Sequence, residues 1–328
     1  MFNNQRILIT GGSGSWGNEL TKQLFEKYDP KEIIIYSRSE LPQVEMQRRF
    51  NGNQKLKFLI GDVRNFHTLT ESMRNVDYVF HLAALKHVPI CESNPWQSVD
   101  TNILGTENVI RAAIINKVKL VIDVSTDKAC APINMYGVCK SVGEKLIIHA
   151  NERRKDTRFV CIRAGNVMGT RGSIIPFFRD LIKAGKDVPI TDYRMTRYFM
   201  TLKEAIGLLF KAVEHCHGGE IFVMKMPACK IVDLAEVMIE ELGGKSKLYE
   251  IGIRPGEKLH EVLISEYEAN DTIVFDDSYY VILPSLNVNG VREQYHQFEK
   301  FSGNSYSSND KLMSKREIRD KLKNGGFI

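Results

Sequence analysis

Nowhere in these 328 residues does an apolar run approach the roughly 20 residues that a helix needs to cross a bilayer. Met1-Phe-Asn-Asn-Gln-Arg6 leads into a strand pattern without signal-peptide organisation, so a cytoplasmic protein with no membrane partner is expected. Cysteine is sparse: Cys91, Cys130, Cys139, Cys161, Cys216 and Cys229 are scattered without Cys-x-x-Cys spacing. That excludes a zinc site and a disulfide framework from the reading and leaves small buried side chains. His215-Cys216-His217 precedes Gly218-Gly219 and reads as a helix end, not a metal site. Charge of one sign does not accumulate: the formal net charge is +5, with 26% charged residues and no basic block, so nucleic acid is not an expected partner.

What is present is a set of short apolar strands with glycines and polar residues at their ends. Arg6-Ile-Leu-Ile-Thr10 runs directly into Gly11-Gly-Ser13-Gly14-Ser15-Trp16-Gly17, ahead of a helical pattern through Leu20, Leu24 and Phe25. Strand, glycine turn and helix in that order form a dinucleotide fingerprint: the turn lets the backbone approach a pyrophosphate, and the helix N-terminus faces the phosphates. The second strand, Glu32-Ile-Ile-Ile-Tyr36, ends in Ser37-Arg38 where an acidic residue would hold a free ribose 2′-hydroxyl. Arg38 suits a 2′-phosphate, so the cofactor expected is NADP. Glu40, three residues after Ser37, is expected to complete a capping box for the next helix and lies close to the same site.

Lys57-Phe-Leu-Ile60 ends in Gly61-Asp62-Val63, and Tyr78-Val-Phe-His81 ends in Leu82-Ala83-Ala84. Asp62 and Val63 are placed to border the adenine, and the alanines leave room for the dinucleotide. Helical patterns near residues 16–27, 40–49, 66–74 and 102–117 alternate with these strands, which gives an α/β fold with a Rossmann-like doubly wound parallel sheet. The expected division is a cofactor-binding domain over residues 1–170, returning near 200–227, and a smaller C-terminal substrate lobe over 171–199 and 228–328. The last segment, 300–328, starts polar and ends in a charged amphipathic pattern, read as a loop and a short closing helix.

The reactive residues cluster after the fifth strand, Leu120-Val-Ile-Asp-Val124, which is followed by Ser125-Thr126-Asp127-Lys128. Ligands of open α/β sheets bind at such carboxyl ends. Pro132 and Asn134 then break the chain before a helix carrying Tyr136 and Lys140, four apart and therefore on one face. A tyrosine with a pKa of ~10 needs a nearby ammonium before it removes an alcohol proton. Asp127 and Lys128 add a second proton-transfer pair, expected to titrate together, that simple alcohol oxidation does not need. Oxidation followed by elimination fits both pairs. Lys86, in a loop with Pro89 and Pro95 nearby, is within range of nicotinamide or sugar.

Together with Ala84-Leu-Lys-His-Val-Pro89, Gly165-Asn166-Val167, Arg171-Gly172-Ser173, Ile190-Thr191-Asp-Tyr-Arg194-Met-Thr-Arg197 and Ile253-Arg254-Pro-Gly-Glu257-Lys-Leu-His-Glu261, these residues give the chain its resemblance to a known family. Over nearly its whole length it resembles the extended short-chain dehydrogenase/reductases, and within them the inverting UDP-N-acetylglucosamine 4,6-dehydratases of the kind that begin pseudaminic acid synthesis. The resemblance implies that Tyr136 takes the 4-hydroxyl proton while NADP accepts hydride from C4, and that Lys140 holds the ribose and depresses the Tyr136 pKa. Lys128 is then expected to remove the C5 proton as Asp127 helps the 6-hydroxyl depart, with Thr126 beside them. Hydride returns to C6, and reprotonation inverts C5.

Gly11, Ser13, Gly14, Ser15, Trp16, Ser37, Arg38, Glu40, Asp62 and Val63 are the cofactor contacts implied in the first half of the chain. Leu82, Ala83, Ala84, Lys86, Asn102, Ser125, Tyr136, Lys140 and Val167 complete that set. UDP-N-acetylglucosamine is expected to meet Lys86, Asn166, Arg171, Gly172, Ser173, Thr191, Arg194, Arg197, Arg254 and Glu257, arginines being suited to a diphosphate. A homo-oligomer, a dimer or higher, is implied as well. The sequence departs from the family pattern at Ala164, where an aromatic residue is frequent, and at Trp16, where phenylalanine is. Two alternatives remain at this point: a nucleotide-sugar 4-epimerase, for which Lys128 has no task, and an NADP-sensing protein with a silent site.

Overall fold

The computed structural model describes residues 1–153, 156–170, 172–285 and 288–328. The strands are β1 (Arg6–Thr10), β2 (Glu32–Ser37), β3 (Leu56–Ile60), β4 (Tyr78–His81), β5 (Leu120–Thr126), β6 (Arg158–Ala164), β7 (Val188–Ile190) and β8 (Thr196–Tyr198). They continue with β9 (Ile221–Met224), β10 (Ala228–Lys230), β11 (Leu248–Glu250), β12 (Val262–Ile264), β13 (Thr272–Val274), β14 (Tyr279–Ile282), β15 (Glu299–Lys300) and β16 (Tyr306–Ser307). Ten of them form one sheet in the order β15-β13-β14-β9-β6-β5-β4-β1-β2-β3. From β3 to β9 every pairing is parallel, so the strands all end on the same side of the sheet.

Helices cover both faces, as a parallel sheet requires. They are α1 (Ser15–Lys27), α2 (Glu40–Arg49), α3 (Phe66–Ser72), α4 (Val88–Ser93), α5 (Pro95–Val99), α6 (Gly105–Ile115) and α7 (Met135–Arg153), followed by others toward the C-terminus. One layer brings α1 against the helix Leu202–His215, and the other brings α3, α6 and α7 side by side. The inner strands are apolar on both faces: Ile7, Leu8 and Ile9 of β1 and Val121 and Ile122 of β5 are fully buried. Each such side chain contributes about 1.5–3 kcal/mol of transfer free energy, which is why these runs carry no alternation. The doubly wound parallel sheet expected from the sequence is therefore present, with element ends displaced by only a few residues.

A second apolar core joins Ile175, Phe178, Val188, Ile190, Leu234, Met238, Ile318 and Leu322 outside the main sheet. Residues 272–300 do not belong to it, contrary to the lobe boundary drawn from the sequence. β13, β14 and β15 return to the main sheet as antiparallel strands, with Tyr280 paired to Val223 and Ile273 to Lys300. Their β-branched and aromatic residues pack into the main core instead, where Ile273, Tyr279 and Val281 are buried. The chain closes with a helix, Lys315–Asn324, capped by Ser314 and Glu317. No helix of the described residues is long and apolar enough to cross a membrane.

Candidate active site

Loops at the carboxyl ends of β1, β2, β3, β4, β5 and β6 surround a cleft of about 620 Å³, a size suited to a small-molecule site. The reversal of strand order between β1 and β4 opens the sheet here. Gly11 turns the chain with φ +65°, and a Cβ on it would lie 2.8 Å from the backbone of Ala83. A Cβ on Gly17 would lie 2.1 Å from the carbonyl oxygen of Gly12, so α1 starts tight against the turn. Gly11, Ser13, Gly14, Ser15 and Trp16 line the cleft, as do Ser37 and Arg38 from β2 and Asp62 and Val63 from β3. Leu82, Ala83, Ala84 and Lys86 follow β4, and Ser125, Tyr136 and Val167 complete the wall.

Ser37 does not cap α2. Ser39 is the N-cap, and the Ser37 hydroxyl accepts hydrogen bonds from Ser13 Oγ at 3.0 Å and Gln43 Nε2 at 2.9 Å, which fixes the glycine turn to β2. Glu40 opens α2 on the exposed side, off the cleft wall. Asn102 is also off the wall: it sits in a π-helical turn, Asp100–Leu104, and its amide bridges the backbone N–H and C=O of Leu85, both at 2.8 Å. It therefore shapes the loop that carries Lys86.

At the end of β5 the chain tightens into a 3₁₀ turn, Asp127–Ala129, with Thr126 as its N-cap. Asn134 caps α7 by accepting from the Gly137 N–H at 2.8 Å. A Cβ on Gly137 would lie 2.2 Å from the Lys128 carbonyl oxygen, so the helix bearing Tyr136 lies directly on the turn bearing Asp127 and Lys128. Lys128 Nζ is 3.0 Å from Asp127 Oδ1, which also accepts from Thr126 Oγ1 at 3.0 Å. A second carboxylate, Glu261, lies 3.4 Å from Lys128 Nζ, and Arg197 Nε lies 3.6 Å behind it.

The charges act on one another strongly because Asp127 and Glu261 are buried. Burial opposes the Lys128 charge, yet Asp127 and Glu261 outweigh it and hold the ammonium above its ordinary pKa. Burial and then Glu261 push the Asp127 carboxyl up against the pull of Lys128. Tyr136 is raised by burial, and the opposing pull of Lys140 and Lys128 does not overcome it. The expected depression of Tyr136 is thus a contribution and not the net result. The lowering that an always-ready lysine base would show is absent from Lys128. Lys86 shows it instead, through burial and the charge of Lys128.

Lys140 does not reach the cleft wall. Its Nζ is 3.0 Å and 3.1 Å from the carboxylate oxygens of Asp123 on β5, both residues buried. Beside them His81 bridges Thr10 at 2.7 Å and Thr106 at 3.1 Å, and burial holds its pKa down to about 4, a neutral ring. Asp123 was missed in the sequence; its signal is an acid inside an otherwise apolar strand. Glu261 ends the segment 253–261, where the resemblance implies no role for it.

On the far side of the cleft, Asn166, Gly172 and Ser173 are on the wall, with Ala164 and His87 beside them. Gly172 packs on the His87 ring, where a Cβ would come within 2.7 Å of Cε1. Thr191, Arg194, Arg197, Arg254 and Glu257 are not wall residues. Arg194 is occupied by Asp192 at 2.7 Å, and Arg254 is exposed in the loop whose Gly256 carbonyl accepts from Asn134 Nδ2 at 2.8 Å. Arg171 lies outside the described residues. Ser125 Oγ, Asn166 Oδ1, Ser173 Oγ and Asp127 Oδ2 are buried without a protein partner among the described residues. Such atoms on a cleft wall await a polar ligand, and with the glycine turn they fit a dinucleotide along β1–β4 and a hydroxyl-rich molecule near β5.

The chain matches the polysaccharide biosynthesis protein family over residues 7–283. It is 46% identical to a UDP-N-acetylglucosamine 4,6-dehydratase (inverting) of Campylobacter jejuni, across 98% of both chains. It is 42% identical to a protein of Rickettsia bellii named UDP-glucose 4-epimerase, across 100% of this chain and 98% of that one. Among solved structures, Pen from Bacillus thuringiensis superposes with a TM-score of 0.90 at 40% identity, over 98% of this chain and 99% of the other.

Proposed function

Since the chain belongs to the polysaccharide biosynthesis protein family of extended short-chain dehydrogenase/reductases, and within it is similar to inverting dehydratases, we propose that it dehydrates UDP-N-acetylglucosamine across C5 and C6 with inversion at C5. The product is the UDP-2-acetamido-2,6-dideoxy-L-arabino-4-hexulose, a precursor for surface glycans such as those bearing pseudaminic acid. The carrying observation is the 3.0 Å contact of Lys128 Nζ with Asp127 Oδ1, in the same cleft as Tyr136. One proton moving across that contact turns an ion pair into a neutral amine and a carboxylic acid, the base and the acid that elimination requires.

When bound, a nicotinamide dinucleotide supplies the acceptor for hydride from C4 and its return to C6. Gly11, Ser13, Gly14, Ser37, Arg38 and Asp62 line the part of the cleft that fits it, and Arg38 favours NADP through charge pairing with a 2′-phosphate. Tyr136 takes the proton of the 4-hydroxyl as its phenolate, the form that the charges of Lys140 and Lys128 favour against burial. The resulting ketone acidifies C5, and neutral Lys128 removes that proton while protonated Asp127 gives its own to the departing 6-hydroxyl, releasing water. The proton gained by Tyr136 replaces the one spent by Asp127, the Thr126 hydroxyl donating to Asp127 Oδ1 between them, while C5 takes its new proton from solvent on the face opposite Lys128 and Lys128 releases its own to solvent. Ser125, Asn166 and Ser173 offer unpartnered polar atoms for the bound molecules.

Exposed Leu104, Ile115, Val138 and Val142 on or beside α6 and α7 support a homo-oligomer within the same proposal. The names of the Rickettsia relatives favour a second reading, a 4-epimerase that leaves C6 untouched. An NMR time course with UDP-N-acetylglucosamine in deuterated water separates the two. The expected product is a 6-deoxy-4-keto sugar with deuterium at inverted C5, and Lys128→Ala stops its formation while dinucleotide binding persists. UDP-N-acetylgalactosamine with intact C6 overturns the dehydratase reading.

A further inference from the structure

Four charged groups run in sequence away from the cleft: Asp127, Lys128, Glu261 and Arg197, with successive contacts of 3.0, 3.4 and 3.6 Å. Asp127 and Lys128 are wall residues of the cleft, whereas Glu261 and Arg197 are not. Glu261 is fixed from the protein side. Its N–H donates to Ser308 Oγ at 2.9 Å, its carbonyl accepts from the Ser308 N–H at 2.8 Å, and Ser308 Oγ lies 2.7 Å from Thr196 Oγ1. Arg197 is anchored by the carbonyls of Thr196 at 2.7 Å and Leu259 at 3.2 Å. One oxygen each of Asp127 and Glu261, Oδ2 and Oε2, is buried without a partner among the described residues. Two buried carboxylates therefore share one lysine, and the more distant one is itself off the cleft wall.

We propose that Glu261, backed by Arg197, is a positioning residue for the elimination step: it fixes Lys128 against Asp127 and sets how many protons those two hold between them. The inference rests on the dehydration reading above. A buried anion 3.4 Å from Lys128 favours every state in which the Asp127–Lys128 pair carries an additional proton, so it moves both titrations of the pair to higher pH. Arg197 acts in the opposite sense. The other groups facing the cluster are Thr126 and Tyr136 over the 3₁₀ turn, Lys86 from the loop after β4, Tyr198 on β8, Lys258 before β12, and His260 beside Arg197. Glu261→Gln keeps their shape and removes only the charge.

The test reads the protein directly and then in turnover. Carboxyl ¹³C NMR, with the Asp127 signal assigned through Asp127→Asn, follows the titration of Asp127 in the wild-type protein, Glu261→Gln, Glu261→Asp and Arg197→Gln. The expected result is a downward shift of about one pH unit, tenfold in proton affinity, for Glu261→Gln. Glu261→Asp, which retracts the charge, shifts it less in the same direction, and Arg197→Gln shifts it upward. In turnover, both limbs of the kcat–pH profile of Glu261→Gln move down together while KM for the sugar nucleotide changes less than threefold. A folded Glu261→Gln with unmoved titration and unmoved limbs overturns the inference. Should that variant fail to fold, an unmoved titration in Glu261→Asp overturns it equally. Absence of a 6-deoxy product from the wild type defeats the dehydration reading by itself, and the substrate-free titration still decides the role of Glu261.

Discussion

Lys140, four residues beyond the cleft tyrosine, spends its charge on Asp123 and not on the open cleft: Nζ and carboxylate are 3.0 Å apart between α7 and β5, both buried. The pair clamps the helix bearing Tyr136 onto the strand that leads into Asp127. Burial lowers the lysine pKa, but Asp123 outweighs it and the net shift is upward. A raised folded value means that the contribution to stability is fully present below the unfolded lysine value of ~10.4 and is lost as pH rises through the folded one. Asp123→Asn leaves a buried ammonium without its counter-charge, which costs about 3–5 kcal/mol at neutral pH. Denaturant unfolding of the two proteins is expected to show that gap at pH 7 and a narrowing of it above about pH 10. A gap that is constant with pH shows that Asp123 acts by shape alone.

Arg38 stands at the end of β2 on the cleft wall, where it also helps hold the Asp62 carboxyl low, after the larger effects of Arg64. Arg38→Ser is expected to weaken NADP binding roughly 10–100-fold, the equivalent of one charge-assisted hydrogen bond, and to change NAD binding much less. Fluorescence titration with both dinucleotides measures the ratio. Equal losses for the two sink the preference for NADP.

Arg163, fully buried at the end of β6, binds Glu144 of α7 at 2.6 Å and Glu268 at 2.9 Å, joining the sheet to the segment after β12. Burial raises the Glu268 pKa, but Arg163 and the Ser265 cap overcome it and bring it down to about 2. A depressed folded value gives stability that is present above the unfolded value of ~4.3 and is lost as pH falls through the folded one. The stability difference between wild type and Glu268→Gln is therefore expected to be constant from pH 7 to about 5 and to shrink between about 5 and 2, followed by calorimetry or urea titration. A difference that persists to pH 2 removes the charge from the account.

Two glycines of α7 separate packing from propensity. Gly137→Ala places a methyl 2.2 Å from the Lys128 carbonyl oxygen, whereas a Cβ on Gly143 meets nothing closer than 3.5 Å. Gly137→Ala pushes Tyr136 away from Asp127 and Lys128 and is expected to lower kcat by at least about tenfold, misplacement of a reacting group being expensive. Gly143→Ala is expected to keep activity and gain up to about 1 kcal/mol of stability from helix propensity. Comparable kcat in both variants refutes the claim that α7 sets the tyrosine against the turn.

The sequence by itself determined the sheet from β1 to β5 and the cofactor-side wall of the cleft. Those features are local: apolar strands of five to seven residues in β1 and β5, glycines at fixed offsets, and polar residues immediately after each strand. Tyr136, Asp127 and Lys128 were legible for the same reason, being within nine positions of one another. Tertiary structure alone decided which charges meet. Glu261 reaches Lys128 across 133 positions of chain, and Asp123 claims Lys140 across a strand and a helix. Likewise, the antiparallel return of residues 272–300 depends on an open edge at β9 that no local pattern announces. Spacing specifies which side chains one strand or one helix turn presents, but a buried charge takes the counter-charge that packing brings within about 4 Å, and packing is a property of the whole chain.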